Sequence, residues 1–233
     1  MSQRDTELKS TTTKLAGEFL GTLFLVVSVV GSGIMAERLA DGNDAIALLG
    51  NTLATGVVLT VLITVIRSLS GAHFNPAVSV AFWLRKELAH SLVAPYVIVQ
   101  ITGGVCGTWL AHLMFDMEIL QISTNSRLTV GTFIAEIVAT FGLVATILGT
   151  LRVNPPWVGA TVGLYISGAY WFTASTSFAN PAVTIARCLS ESFSGISPTD
   201  VAPFMLAQLI GALIAVACFS LLQRSETHIS KVG

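Results

Sequence analysis

Long apolar runs separated by short polar stretches make up most of this chain. A helix needs about 20 residues to cross the ~30 Å hydrocarbon core of a membrane, because each residue adds ~1.5 Å. Six runs reach or approach that length, and they predict an all-α membrane protein with six transmembrane helices. The predicted spans lie roughly at Ala16–Met35, Ala45–Ile66, Ser91–Phe115, Val130–Leu151, Trp157–Thr173 and Val201–Leu222.

Two further apolar stretches, Asn75–Leu84 and Asn180–Leu189, are too short to span the membrane. At about ten residues each they would reach ~15 Å as helices, which is half of the hydrocarbon core. Both stretches begin with Asn-Pro-Ala. Asn is a favoured N-cap, and Pro suits the first helical position, where its missing N–H costs nothing. We therefore predict two re-entrant half-helices that start inside the membrane.

The second half of the chain repeats the pattern of the first. Residues 15–115 and 129–222 each hold three predicted spans and one half-helix. Because the number of spans per half is odd, the halves lie in the membrane with opposite orientation, as an inverted repeat within one domain of residues 1–233. The matching segments are "AHFNPAVSVAF" (72–82) with "SFANPAVTIAR" (177–187), "GEFLGTLFLV" (17–26) with "AEIVATFGLV" (135–144), and "APYVIVQITGG" (94–104) with "APFMLAQLIGA" (202–212).

Two half-helix starts that meet near the bilayer midplane form an electropositive point. Each helix amino terminus carries the equivalent of about +0.5 charge, which repels cations and protons. The amide N–H groups of Asn75 and Asn180 can hold the oxygen of a neutral solute, and the carbonyls of residues 71–74 and 177–179 can line its path. Irregular backbone at membrane depth has to be buried or line a water-filled cavity. The pattern predicts a passive pore for water and small neutral solutes.

Composition agrees with a membrane protein and excludes other classes. The chain is 53% hydrophobic and 11% charged, with a mean hydropathy of +0.76, whereas a soluble domain has about 25% charged residues. A net charge of -1 without basic clusters gives no sign of nucleic acid binding. Cys106, Cys188 and Cys218 fit buried apolar positions rather than a disulfide or zinc site. We expect no enzymatic activity, cofactor or metal site.

The basic residues predict that both termini are cytoplasmic. In this orientation only three of the 12 Lys and Arg residues, Arg38, Arg127 and Arg187, lie outside, as the positive-inside rule favours. We expect a multi-pass protein of the cell membrane, in the inner membrane of a bacterium and surrounded by lipid. The residues predicted to lie inside are Arg4, Lys9, Lys14, Arg67, Arg85, Lys86, Arg152, Arg224 and Lys231.

The sequence resembles the major intrinsic protein family, the aquaporins and glycerol facilitators. The matching segments are "SGAHFNPAVSVA" (70–81) and "SFANPAVTIA" (177–186), together with two Glu and two Gln residues, so that the resemblance covers nearly the whole chain. It implies an hourglass pore in each subunit, passive flow in both directions, and a homotetramer. The implied site residues are Asn75, Pro76, Ala77, Asn180, Pro181 and Ala182 in the pore, with Glu18 and Glu136 supporting the loops. In the repeat, Glu18 pairs with Glu136 and Gln100 with Gln208.

The chain departs from the family pattern at the outer constriction. Members usually carry an Arg directly after the second Asn-Pro-Ala, whereas this chain has Val183. Counting by the family's spacing places Thr55, Gly168 and Ser177 in the same wall. Because none of the four is bulky or charged, we expect a filter wide enough for glycerol-like polyols, urea and metalloid hydroxides such as arsenous acid. In this respect the chain resembles bacterial aquaglyceroporins associated with arsenic resistance.

Arg187 leaves an alternative open. It lies seven residues beyond Asn180, two helical turns outward on nearly the same face. One interpretation places it in the outer vestibule, where it repels cations. The others pair it with Glu191 at i,i+4 or let it snorkel towards water. If Arg187 closes the space beside Val183, the protein is a strict water channel.

The alternative of a different class is a secondary transporter. Inverted repeats with half-helices also occur in transporters, and intramembrane carboxylates such as Glu18 and Glu136 can carry protons there. The sequence has no obvious ion-binding cluster near the midplane, which favours a channel. We interpret His73 as a loop-packing residue rather than a pH gate, and His112, near the outer end of a span, as an interfacial residue.

Overall fold

The computed structural model describes residues 10–229, with side chains through Leu222, and this part of the chain is helical without strands. Arg4, Lys9 and Lys231, which the predicted orientation uses, lie outside these residues. The prediction of an all-α fold is confirmed for these residues. The helices are α1 (Thr11–Ala40), α2 (Asp44–Ser70), α3 (Pro76–Leu84), α4 (His90–Met114), α5 (Val130–Val153), α6 (Val158–Phe172), α7 (Pro181–Arg187) and α8 (Pro198–Ile229).

Five helices, α1, α2, α4, α5 and α8, are long and apolar enough to cross a membrane. The observed α1 begins five residues before the predicted span because the Ser10 side chain caps it, accepting the N–H of Thr13 at 3.2 Å. The fifth predicted span, Trp157–Thr173, corresponds to α6, which has 15 residues and directly follows a 3₁₀ turn at Pro155–Trp157.

The half-helices α3 and α7 begin where the Asn-Pro-Ala motifs predict. α3 has nine residues and α7 has seven. The second half-helix ends at Arg187, two residues earlier than predicted. Its last turn tightens instead of continuing, since the N–H groups of Cys188 and Leu189 bond to carbonyls three residues back, at 3.2 Å each.

Equivalent helices of the two repeats pack in the same way. α1 lies between α2 and α4, and α5 lies between α6 and α8. Equivalent glycines permit these contacts, because a Cβ added at Gly103 would meet the carbonyl oxygen of Phe19, and one at Gly211 would meet that of Ile137. The half-helices connect the repeats, since α3 also contacts α8 and α7 also contacts α4.

Apolar side chains on the outside of the helices face away from this core. On α2, the exposed large residues Leu53, Val57, Val61 and Val65 recur every four positions and so form one stripe. A soluble protein would cover such a stripe, whereas lipid accommodates it without cost. The opposite side of α2 faces the cavity described below.

Candidate permeation site

The two half-helix starts meet head to head and are joined by a reciprocal pair of hydrogen bonds. Asn75 Nδ2 donates to the carbonyl of Ala179, and Asn180 Nδ2 donates to the carbonyl of Phe74, both at 2.8 Å. Each Asn Oδ1 accepts the backbone N–H of the Ala two residues on, at 2.9 and 3.0 Å. An amide nitrogen carries two hydrogens, so each Nδ2 keeps one more donor beyond this bond.

A buried carboxylate holds the loop before the first motif. Glu18 accepts the backbone N–H groups of His73 at 3.0 Å and Phe74 at 2.7 Å. It also accepts hydrogen bonds from Ser70 Oγ at 2.7 Å and Gln100 Nε2 at 2.8 Å. Four donors around one carboxylate leave it engaged in structure rather than exposed to solvent.

A second carboxylate holds the loop before the second motif in the same manner. Glu136 accepts the backbone N–H groups of Phe178 at 2.9 Å and Ala179 at 2.8 Å, and Gln208 Nε2 at 2.6 Å. Both Glu side chains are fully buried. Neither is free to pass protons while it holds these bonds.

The loops held by the carboxylates have an unusual backbone. Ala72 and Phe74 have positive φ values of 55° and 50°, and their counterparts Ser177 and Ala179 have 51° and 47°. Non-glycine residues rarely adopt the left-handed region, and such strain concentrates at functional sites. Here it turns successive carbonyl groups out of regular structure, which leaves them available to a solute.

An elongated cavity of about 250 Å³ runs past both Asn residues. Since water takes ~30 Å³ per molecule, it has room for several molecules in succession. One wall consists of the two loops with their carbonyls and amides, and the other is apolar. The apolar wall comes from α2, α5 and α6, through Leu59, Ile63, Leu143, Ile147, Leu151, Val158, Val162 and Ile166.

Three of the four predicted filter residues, Thr55, Ser177 and Val183, lie on the cavity wall, and all three are buried. The prediction for Gly168 is wrong. Gly168 lies on the exposed face of α6, and a Cβ added there would meet nothing within 4 Å. Spacing counted back from Asn180 crosses the end of α6, where the backbone becomes extended, so the helical phase is lost.

Tyr170 occupies the wall position that spacing assigned to Gly168. It is buried, lines the cavity, and places its hydroxyl 3.4 Å from Thr55 Oγ1. Sequence reasoning missed it, although a signal was present. Val158, Val162, Ile166 and Tyr170 recur every four residues on the cavity face of α6.

Arg187 lies in the cavity wall with only 2% of its surface exposed. Its Nε donates to the carbonyl of Ser194, and its guanidinium lies over the Phe178 ring, 3.4 Å from the ring centroid. Among the described residues, its Nη1 has no hydrogen-bond partner. Of the interpretations left open, the geometry therefore agrees with a place in the outer vestibule.

The other two interpretations of Arg187 are wrong. Glu191 accepts hydrogen bonds from the backbone and hydroxyl of Thr124, at 2.5 and 3.0 Å, and is not within ion-pair distance of Arg187. A snorkelling side chain would reach water, whereas this one is buried. The loop after α7 folds back over the guanidinium and excludes both arrangements.

The two histidines differ in their surroundings. His73 lines the inner part of the cavity, contacts Ser79 Oγ at 3.1 Å, and packs against the rings of Phe82 and Tyr96. His112 is fully buried. The interfacial interpretation of His112 is therefore wrong, because long-range loop contacts that the sequence does not reveal cover this end of α4.

Among the side chains of residues 10–222, no group of three or more His, Cys, Asp or Glu could hold a metal ion. The cysteines Cys106, Cys188 and Cys218 are unpaired and only partly buried, so they are less enclosed than we expected.

A family model described as major intrinsic protein matches residues 6–167 and 157–232. The chain is 53% identical over 206 residues to the aquaglyceroporin AqpS of Rhizobium meliloti, covering 88% of each protein. It is 30% identical over 241 residues to the glycerol uptake facilitator protein of Streptococcus pneumoniae, covering 89% of this chain and 98% of that protein.

The fold is similar to the X-ray structure of the aquaglyceroporin from Plasmodium falciparum. The TM-score is 0.73 at 20% sequence identity, and the match covers 89% of this chain and 95% of that one. At this identity the likeness concerns the fold.

Proposed function

The chain belongs to the major intrinsic protein family, a family of membrane channels rather than enzymes, and we propose that it conducts small neutral solutes larger than water as well as water itself. The proposed solutes are glycerol-like polyols, urea and neutral metalloid hydroxides such as arsenous acid. One observation carries the proposal: the outer wall directly after the second motif is the small apolar Val183, and the nearest guanidinium comes from Arg187, one turn further out.

The two-sided wall supports a polyol rather than a purely polar solute. Asn amides and loop carbonyls can exchange hydrogen bonds with hydroxyl groups, while the apolar side accepts carbon atoms. Near the outer end, Arg187 Nη1 and Ser177 Oγ are buried polar atoms without a partner among the described residues. Both residues line the cavity, so their polar side chains add hydrogen-bonding groups near this end of the wall.

We propose that the filter consists of Thr55, Tyr170, Ser177 and Val183, with Arg187 repelling cations. A buried guanidinium keeps its charge, and no described carboxylate lies within ion-pair distance of this one. It adds to the positive ends of α3 and α7 at the midplane. Conduction is passive in this proposal, because Glu18 and Glu136 are occupied by loop donors and are not available for ion coupling.

Two wider features of the family belong to the same proposal. We propose a homotetramer with one pore per subunit, which is compatible with the apolar outer faces of the helices. We also propose that both termini are cytoplasmic, since Lys14, Arg67, Arg85 and Lys86 fall at one end of the helices if the chain alternates across the membrane.

The strict water channel is a second candidate because Arg187 and Tyr170 both extend into the wall. Stopped-flow light scattering on proteoliposomes separates the two candidates, by comparing water and glycerol permeability and by measuring arsenite uptake in the same vesicles. We expect glycerol and arsenite fluxes well above those of protein-free liposomes. Fast water flux with glycerol flux at the protein-free level would overturn the wide-filter proposal.

The variant Val183→Arg tests the filter directly. A long charged side chain at this position should reduce glycerol and arsenite flux by about tenfold, equivalent to ~1.4 kcal/mol in the barrier, and reduce water flux less. Val183→Leu is the matched control, because it adds bulk without charge. Equal solute selectivity in Val183→Arg and the unmodified protein would contradict the assignment of Val183 to the filter.

A further inference from the structure

One face of α4 holds the outer end of α7. Gly104, Thr108 and His112 follow each other at four-residue spacing and therefore share this face. A Cβ added at Gly104 would lie 3.2 Å from the Cβ of Ala186, so the glycine permits close approach. One turn further on, Thr108 Oγ1 donates to the carbonyl of Ala186 at 3.0 Å. The next turn presents His112 to the loop that follows α7.

His112 starts a continuous chain of buried hydrogen bonds. Its Nδ1 lies 3.0 Å from the carbonyl oxygen of Ile119, and its Nε2 lies 2.9 Å from Ser190 Oγ. Ser190 Oγ lies 2.9 Å from Ser192 Oγ, which lies 3.1 Å from Ser194 Oγ. The side chains of His112, Ser190, Ser192 and Ser194 are all buried.

The donor and the acceptor of each of these hydrogen bonds can be assigned from the partners. A carbonyl only accepts, so Nδ1 carries the hydrogen, and Nε2 of the neutral ring accepts from Ser190. Each hydroxyl has one hydrogen, so Ser192 donates to Ser190, and Ser194 donates to Ser192. The identity of residue 112 therefore fixes the orientation of three successive hydroxyl groups.

The chain ends at the group that anchors the outer guanidinium. The carbonyl oxygen of Ser194 accepts a hydrogen bond from Nε of Arg187. On its other side, Ser194 is enclosed by α1, since a Cβ added at Gly33 would lie 3.1 Å from Ser194 Cβ. The Ser194 hydroxyl is bonded to Ser192, and its Cβ packs against α1. Its carbonyl group therefore has a defined position.

At the position equivalent to His112, the inner half has no such series of hydrogen bonds among the described residues. The repeat that pairs Gln100 with Gln208 pairs His112 with Ser220, whose hydroxyl donates to the carbonyl of Val216 within its own helix at 2.8 Å. A feature needed only for the shared scaffold would be expected in both repeats. Within the described part of the chain, the series that begins at this position of the repeat occurs in the half that contains Arg187.

We propose that His112 is a positioning residue for the outer filter. Through Ser190, Ser192 and Ser194 it fixes the carbonyl that orients Arg187, and it thereby influences cation exclusion and solute selectivity without touching the solute. The inference rests on the proposed role of Arg187 in the filter. Without this series of hydrogen bonds, the Arg187 guanidinium can move away from the Phe178 ring.

The experiment measures potassium flux and the ratio of glycerol to water permeability in proteoliposomes, per folded protein. His112→Leu and Ser192→Ala should each raise potassium flux and change the permeability ratio by about fivefold, as expected for one lost buried hydrogen bond. His112→Gln keeps an acceptor for Ser190 and should restore most of the selectivity. Ser197→Ala is the matched control, since its hydroxyl lies in the same loop but bonds to the exposed Thr199.

A double-mutant cycle with Arg187→Ala separates positioning from general structure. If His112 acts through Arg187, adding His112→Leu to Arg187→Ala changes neither readout further. If Arg187→Ala itself leaves both readouts unchanged, the proposed role of Arg187 fails.

If Arg187→Ala changes the readouts while Ser192→Ala behaves like Ser197→Ala, only the positioning inference is overturned. Ser192→Ala also carries the test should His112→Leu not fold, because it leaves the histidine in place.

Discussion

In the proposed orientation, the half of the pore built on α3 is the inner half and the half built on α7 is the outer half. Both use the same contacts around their half-helix starts. Each start is capped by its own Asn, and each loop is held by one carboxylate, Glu18 or Glu136. Each carboxylate also receives one glutamine, Gln100 or Gln208. The positive φ values recur at equivalent positions. Repetition of these contacts makes the midplane nearly symmetric.

One difference between the two halves lies at two neighbouring side chains that the repeat makes equivalent. In the inner half, His73 packs against Phe82 with ring centroids 4.6 Å apart. In the outer half the counterparts are Phe178 and Arg187, with the guanidinium 3.4 Å from the ring centroid. The exchange places the Arg187 guanidinium beside the outer ring, whereas the cation in the wall at the inner end is Arg67, which donates to the carbonyl of Pro155. The scaffold is therefore set by what the repeats share, and selectivity by where they differ.

Removing a loop-holding carboxylate, which both halves share, should have the largest effect on stability and on water permeability. Glu136→Ala leaves the N–H groups of Phe178 and Ala179 buried without an acceptor, at about 1–3 kcal/mol each. We expect a clear fall in the thermal unfolding midpoint in detergent and water permeability close to that of protein-free liposomes. Glu18→Ala should do the same in the inner half, because its loop has the same two bonds.

Glu136→Gln is the matched variant, since it keeps one acceptor oxygen and the side-chain volume. It should lose less stability than Glu136→Ala. A normal unfolding midpoint for Glu136→Ala, or a large difference between the two Ala variants, would contradict the equivalence of the halves.

Removing the charged side chain at which the halves differ should change ion selectivity more than folding stability. Arg187→Ala takes away the only permanent charge in the outer wall among the described residues. We expect potassium flux to rise by about tenfold, equivalent to ~1.4 kcal/mol of the barrier. Phe82→Ala, at the equivalent inner position, is the control and should leave potassium flux unchanged. Equal leaks from both variants would show that size, not charge, excludes cations.

The shared parts could be predicted from the sequence, because local rules determine them. Asn before Pro starts a helix, whichever loop precedes it. The repeat pairs Glu18 with Glu136 and Gln100 with Gln208 in the sequence alone. Length alone separated half-helices from spans.

The parts that differ could not be predicted, because they depend on long-range contacts. The place of Arg187 is determined by the loop after α7, which folds back over it. Arg127 holds that loop, donating to the carbonyls of Gly195 at 2.5 Å and Phe193 at 2.6 Å. These partners lie more than 60 residues from Arg127 in the sequence, so no local pattern indicates them.

The smallest expected effect concerns the residue that spacing placed wrongly. Gly168→Leu adds a side chain on the exposed face of α6, where no atom lies within 4 Å of an added Cβ, so glycerol permeability should not change. Tyr170→Ala removes a buried ring from the cavity wall and should raise glycerol permeability by about threefold, equivalent to ~0.6 kcal/mol of the barrier. Stopped-flow traces of both variants provide the comparison. Reduced glycerol flux in Gly168→Leu, with no change in Tyr170→Ala, would show that Gly168 rather than Tyr170 belongs to the filter. The opposite result would show that a helix face, rather than distance from a motif, determines which residue of α6 meets the solute.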